Sequence, residues 1–262
     1  MWRWWRKDAL LGGELTQWQL DCLDWLLQHT GGLDALRARR LVLPTREHFP
    51  QRVEYSHASA VALFEQVKRH AGMADWACEL APHQSAPDTK VSSVAFVQGA
   101  PQSPAGTFRT RQDGSVLITY DPQQLADPMS MVATLAHELA HYRTAVFPEP
   151  PPGGWEVWEP ATDLAAVFLG FGVFLANTRF RFNHFNDGRR SGWQWRHQGY
   201  LSEPEVLHMQ ALVSLAMGAP ASTTLGPLKP ALRGIFKRVY RDAERALAAS
   251  GLLTGARSAS MA

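Results

Sequence analysis

The sequence predicts an α+β fold, mostly helical, in which a small β-sheet packs on one central helix and further helices make up the N-terminal and C-terminal parts. Three observations carry this prediction. Apolar residues recur at helical spacing in several segments bounded by capping signals. Two β-rich runs, Thr107 to Arg111 and Ser115 to Tyr120, flank Asp113-Gly114, a strong hairpin turn signal. Between these and the helical C-terminal half, Asp127-Pro128 supplies an N-cap and a proline at the first helical position, followed by Met131, Val132, Leu135, Ala136 and Leu139.

In chain order, Thr16 to Gln19 reads as a capping box opening a helix with Trp18, Cys22, Trp25, Leu26 and His29 in its repeat, stopped at Gly31-Gly32. A second helix runs from about Ala58 to His70. Residues 1–90 are therefore expected to form a helical subdomain, serving as a scaffold, a lid or a partner-binding surface. Val91 to Val97 is a further β-rich run. After the central helix, Pro148, Pro150, Pro151 and Pro152 with Gly153-Gly154 form a stiff, exposed connector. The apolar run Leu164 to Ala176 reads as a buried helix with too few residues to span a membrane. Ser202 to Glu205 is a capping box for a helix to about Met217, and Pro230 to Ala249 forms an amphipathic last helix with a basic stripe. The division expected is 1–90, a catalytic-type domain over 91–249, and a flexible tail from 250 to 262.

Composition narrows the classes. The 262 residues are 45% hydrophobic and 19% charged, as in an ordinary globular chain, and a net charge of +2 demands no anionic partner. Two cysteines are too few for a disulfide framework, and only Ala9 to Leu11 separates the basic stretch Met1 to Lys7 from Gly12-Gly13. Export by a signal peptide is not expected, and a reducing cytoplasm fits best. Arg179, Arg181, Arg189, Arg190 and Arg196 interleave with Phe180, Phe182, Phe185, Trp193 and Trp195. Such a loop over 179–197 could stack on bases, but packing around a cleft is the expected role, so nucleic acid is not the expected partner.

The chemistry concentrates in His137-Glu138-Leu139-Ala140-His141. On a helix the two histidines stack one turn apart on one face, so both imidazoles reach a single cation, while Glu138 leaves the axis roughly 100° away. With ten histidines in the chain, random placement would produce this pattern on the order of 0.02 times. The competing reading is a helix whose His and Glu only make hydrogen bonds. Burying two histidines in an Ala/Leu-rich helix is costly without partners, and a metal satisfies one nitrogen of each.

A zinc hydrolase uses three protein ligands and an open fourth position. Downstream lies Trp155-Glu156-Val157-Trp158-Glu159-Pro160-Ala161-Thr162-Asp163, where Glu159 and Asp163 are four apart and share a helical face. Pro160 pushes its predecessor away from α geometry, so Glu159 is expected at the helix edge and Glu156 is a rival ligand. Thr144 and Phe147 stand where an extended metzincin motif requires Gly and His.

The motif followed by a helix carrying E-x-x-x-D resembles the gluzincin metallopeptidases, with a thermolysin-like active-site pattern, over about residues 91–177. The resemblance implies a zinc-dependent peptidase acting on peptide or protein substrate, with His137, His141 and Glu159 as Zn2+ ligands, Glu138 as general base and acid, and Asp163 orienting a histidine. It also implies an edge strand that pairs with extended substrate. His184, His197 or Tyr200 could then hydrogen-bond the developing oxyanion, though ordinary packing is the simpler role for each. The alternatives are a catalytically idle metal-binding module and a binder acting through the 179–197 loop.

Overall fold

The computed structural model describes residues 9–83, 106–182 and 201–254. Helix α1 (Gly13–His29) is followed by α2 (Gly32–Arg37) and α3 (His57–His70), then by strands β1 (Glu79–Pro82), β2 (Gly106–Thr110) and β3 (Val116–Tyr120). Helix α4 (Pro128–Ala145) carries the histidine motif, and α5 (Trp158–Ala166) continues through a π turn at Val167–Phe171 into α6 (Gly172–Phe182). Helices α7 (Glu203–Met217), α8 (Ala221–Leu225) and α9 (Pro230–Ser250) follow, and a 3₁₀ turn at Leu252–Thr254 closes the described chain. The fold is α+β and mostly helical, as the sequence predicts.

The sheet has the order β1-β3-β2, with β1 parallel and β2 antiparallel to β3. The expected hairpin forms at the expected turn. Gly114 takes a positive φ of 81°, and Asp113 Oδ1 accepts from the Ser115 amide at 2.9 Å, which fixes the reversal. Strand β1 was not anticipated, and the Val91 to Val97 run lies outside the described residues. One cluster of buried side chains runs from Leu11 to Leu252, and β1 reaches across from the first ninety residues to pair with β3.

Several capping expectations hold and one does not. Asp127 accepts from the Ser130 amide at 3.4 Å and its hydroxyl at 2.7 Å, with Pro128 at the first position of α4. The Ser202/Glu205 capping box opens α7, which ends at Gly218 with a φ of 71°. In α1, however, the helix starts at Gly13, so Thr16 lies inside it and makes no cap. Gln19 is instead fully buried, its amide donating to Glu205 O at 3.0 Å, because this face of α1 lies against α7.

Helix α7 is buried on all sides, mostly through apolar residues such as Val206, Leu207, Met209, Leu212 and Val213, and it occupies the middle of the C-terminal half. Helix α9 lays one stripe on it, through Leu232, Phe236, Val239, Ala243 and Leu247, and leaves its basic face in solvent. Gly172 lets α6 approach α7, since a Cβ there would overlap Gln210 Oε1. The stretch Trp155–Thr178, 24 residues, is long and apolar enough to cross a membrane, but its apolar window is 100% buried inside the molecule. It is not straight: Gly170, at φ 107°, breaks the helical ladder and turns its carbonyl to accept from Val42 N at 3.0 Å.

His208 on α7 is completely buried, with Nδ1 2.8 Å from Gln19 Oε1. Because the Gln19 amide nitrogen is occupied by Glu205 O, Oε1 is the acceptor and His208 Nδ1 the donor. Burial, against a smaller opposing effect of Asp242, lowers the pKa of His208 from 6.5 to about 4. An unfolded chain therefore takes up a proton near pH 6.5 that the native chain excludes until about pH 4, so stability falls as pH falls through that window. The expected loss is about 3 kcal/mol. Denaturant titrations at both ends of the window should show it in the parent and not in His208→Gln; equal pH dependence in the two proteins would refute the assignment.

Candidate metal centre

Helix α4 presents His137, Glu138 and His141 to the space between β2 and α5. His137 and His141 are each 6% exposed and Glu138 only 1%, so the motif faces the interior rather than solvent. The imidazole centroids are 4.7 Å apart, with ring planes at 87°. Glu159 comes from the first turn of α5, and its Oε2 lies 3.4 Å from Nε2 of both histidines. One donor atom from each of His137, His141 and Glu159 lies within 4.8 Å of the others. Glu156, the rival, is exposed in the preceding 3₁₀ turn and is not part of this group.

Local sequence explains the convergence. Gly153 and Gly154 take positive φ values of 96° and 82°, reversing the chain out of the proline connector, and Trp18 on α1 donates its indole N–H to Pro152 O at 2.7 Å. Pro160 leaves Glu159 at the edge of α5, in its first turn, as expected. A proline in the first turn lacks only an N–H that has no intrahelical acceptor there, so the helix can begin at Trp158.

Around the three donors sits a set of partners. Asp163 is 2% exposed; its Oδ1 lies 3.0 Å from His137 Nδ1, and its Oδ2 accepts from the Leu201 amide at 3.4 Å. The indole N–H of Trp158 donates to His141 Nδ1 at 2.7 Å, and Thr162 Oγ1 lies 3.1 Å from the same nitrogen. Thr162 in turn donates to Trp158 O at 2.9 Å. Thus Trp158 and Thr162, four apart, serve His141, Asp163 serves His137, and Glu159, four before Asp163, faces both. Sequence reading missed Trp158 and Thr162, although the doubled i, i+4 spacing is visible in the chain.

The electrostatics follow from these contacts. Burial opposes charge on His137, but the Asp163 and Glu159 carboxylates outweigh it and raise its pKa well above the usual value. His141, also buried, has its pKa lowered, Glu159 only partly compensating. Burial alone would raise the pKa of Glu159, yet the two histidines hold it far below the ordinary carboxylate range. Glu138 is pushed up to about 7 by burial, with His137 and the neighbouring Phe108 amide pulling down and Glu159 pushing up.

Strand β2 forms the opposite wall. A Cβ on Gly106 would lie 3.0 Å from Glu138 Oε1 and 2.7 Å from Thr134 Cγ2, so only glycine lets the strand approach this closely. The Phe108 ring stacks on His141 at 6.3 Å and on Tyr142 at 5.7 Å. Because Arg111 N donates to Ser115 O, alternation along the hairpin turns the amides and carbonyls of Gly106, Phe108 and Thr110 away from β3. Among the described residues that edge of β2 has no paired strand. Residues 183–200, with Tyr200, His197 and His184, lie outside the described residues, while positions 179–182, expected at the start of a loop, continue α6.

Comparison with protein-family models, curated proteins and solved structures finds no match to this chain.

Proposed function

We propose that the protein is a zinc-dependent peptidase that hydrolyses peptide bonds of a peptide or protein substrate. The observation that carries this reading is the convergence of two buried imidazoles and one carboxylate, with the Glu138 carboxyl beside them. The donor set fits zinc. Ligand atoms about 2.0–2.1 Å from a tetrahedral ion are roughly 3.3–3.4 Å apart; both histidine-to-Glu159 separations are 3.4 Å, and all three donor atoms lie within 4.8 Å of one another. Glu159 Oε1 and Glu138 Oε1 are buried with no hydrogen-bond partner among the described residues, as expected of oxygens reserved for an ion or a reacting water.

His137, His141 and Glu159 would hold the ion, and Asp163 would keep His137 oriented through its Nδ1. When bound, zinc supplies a Lewis acid that polarises a carbonyl and makes water acidic enough to react near neutral pH. Glu138 is placed to take the proton of the attacking water on its carboxylate and to return it to the leaving amine. Its burial excludes bulk water, and Gly106 and Phe108 fix its position from the β2 side. Apart from the Phe108 amide, which Glu138 already engages, the outward-facing amides and carbonyls of β2 suit main-chain pairing with an extended peptide, which grips substrate largely independently of its side chains.

Cleavage of a peptide library or casein should stop on chelation and return with zinc. Cleavage that persists at full rate in excess chelator would sink this reading, and a salt-sensitive shift of oligonucleotides without cleavage would favour a nucleic-acid binder instead.

A further inference from the structure

We propose that Trp158 is a latch on His141 that holds its ring in the form unable to bind metal, so that zinc entry requires the indole to move away. This rests on the metal-centre reading above. An indole N–H is a donor only, so at 2.7 Å it makes His141 Nδ1 an acceptor. The neutral ring then carries its proton on Nε2, where it faces Glu159 Oε2 at 3.4 Å. That nitrogen is the one turned towards the shared site. Its lone pair is therefore occupied by a proton for as long as the indole contact stands.

For Nε2 to become a ligand, its proton must leave and Nδ1 must take one up, with no net change in ring charge. Two N–H groups cannot face each other at 2.7 Å, so Trp158 has to withdraw. A replacement acceptor is already in place. Thr162 Oγ1 stands 3.1 Å from His141 Nδ1, and its own hydrogen is committed to Trp158 O, which leaves oxygen lone pairs for an imidazole N–H. The indole is not locked in the core: it is only partly buried, and its ring neighbour at 4.8 Å, Trp155, is 62% exposed. Trp158 is thus a positioning residue whose contact sets metal affinity, and Thr162 is its counterpart in the loaded state.

Zinc affinity, measured by competition with a chromophoric chelator, tests the proposal without relying on turnover. Trp158→Phe keeps a ring beside His141 but removes the donor, and should bind zinc about fivefold tighter or more. Thr162→Val is nearly isosteric and removes the loaded-state acceptor, and should bind about 10–100-fold more weakly. Tryptophan emission should change when zinc binds the parent, and that change should be largely lost in Trp158→Phe. Equal or weaker binding by Trp158→Phe, with the parent binding zinc, would overturn the latch while leaving the metal centre intact. Failure of parent and variants alike to bind zinc would remove both.

Discussion

Glu138→Gln is expected to lower kcat on a peptide substrate by about 10²–10⁴-fold, the range supplied by a positioned general base, while zinc content remains one per chain. Glutamine has the same shape, which matters because the slot it fills is bounded by Gly106, whose Cβ position is 3.0 Å from Glu138 Oε1. It cannot accept a proton in the working range. The carboxylate it replaces is not among the three converging donors, so the ligand set is untouched. Turnover and metal content measured on the same preparation separate the two roles. Parent-level kcat in the variant would show that the base lies elsewhere, and loss of zinc would show that Glu138 is a ligand.

The second large effect concerns the two glutamates that the sequence leaves in competition. Glu159→Gln should weaken zinc binding by more than about 100-fold, beyond the 10–100-fold typical of groups that only support a ligand. Its carboxylate faces both histidines at 3.4 Å, and its removal takes away the only negative charge in the donor group. Glu156→Gln, exposed one turn earlier, should leave affinity within about twofold, as expected of a surface change away from the donors. Equilibrium zinc titration of the two variants decides the matter. Equal losses in both, or a loss confined to Glu156→Gln, would remove Glu159 from the ligand set.

Much of this arrangement was legible in the chain because it depends on local rules. Asp127-Pro128 announces α4, and the spacing of His137, Glu138 and His141 follows from helical geometry alone. The Ser202/Glu205 box and the stripe of α9 are equally local. What stayed hidden depends on partners distant in sequence. Gln19 looks like a capping residue until α7 is seen to claim its amide, and β1 is four residues with no alternation strong enough to declare a parallel strand. The value of Gly106 appears only once β2 is laid against α4. Pro160 was legible too: the restriction on the residue before proline keeps Glu159 in the first turn, at the edge of α5.

The ligand-bearing elements also differ from the rest of the molecule in how far apart along the chain their partners stand. His137 and Asp163 are separated by 26 positions, whereas Trp18 reaches Pro152 across 134 and His208 reaches Gln19 across 189. Closing the shorter span sacrifices less chain entropy, so the α4–α5 pair is better placed than the long-range contacts of α1 to organise early during folding. An ion captured at that moment would act as a staple for a nascent hairpin, and the terminal helices would then condense around a unit whose reactive groups had already met.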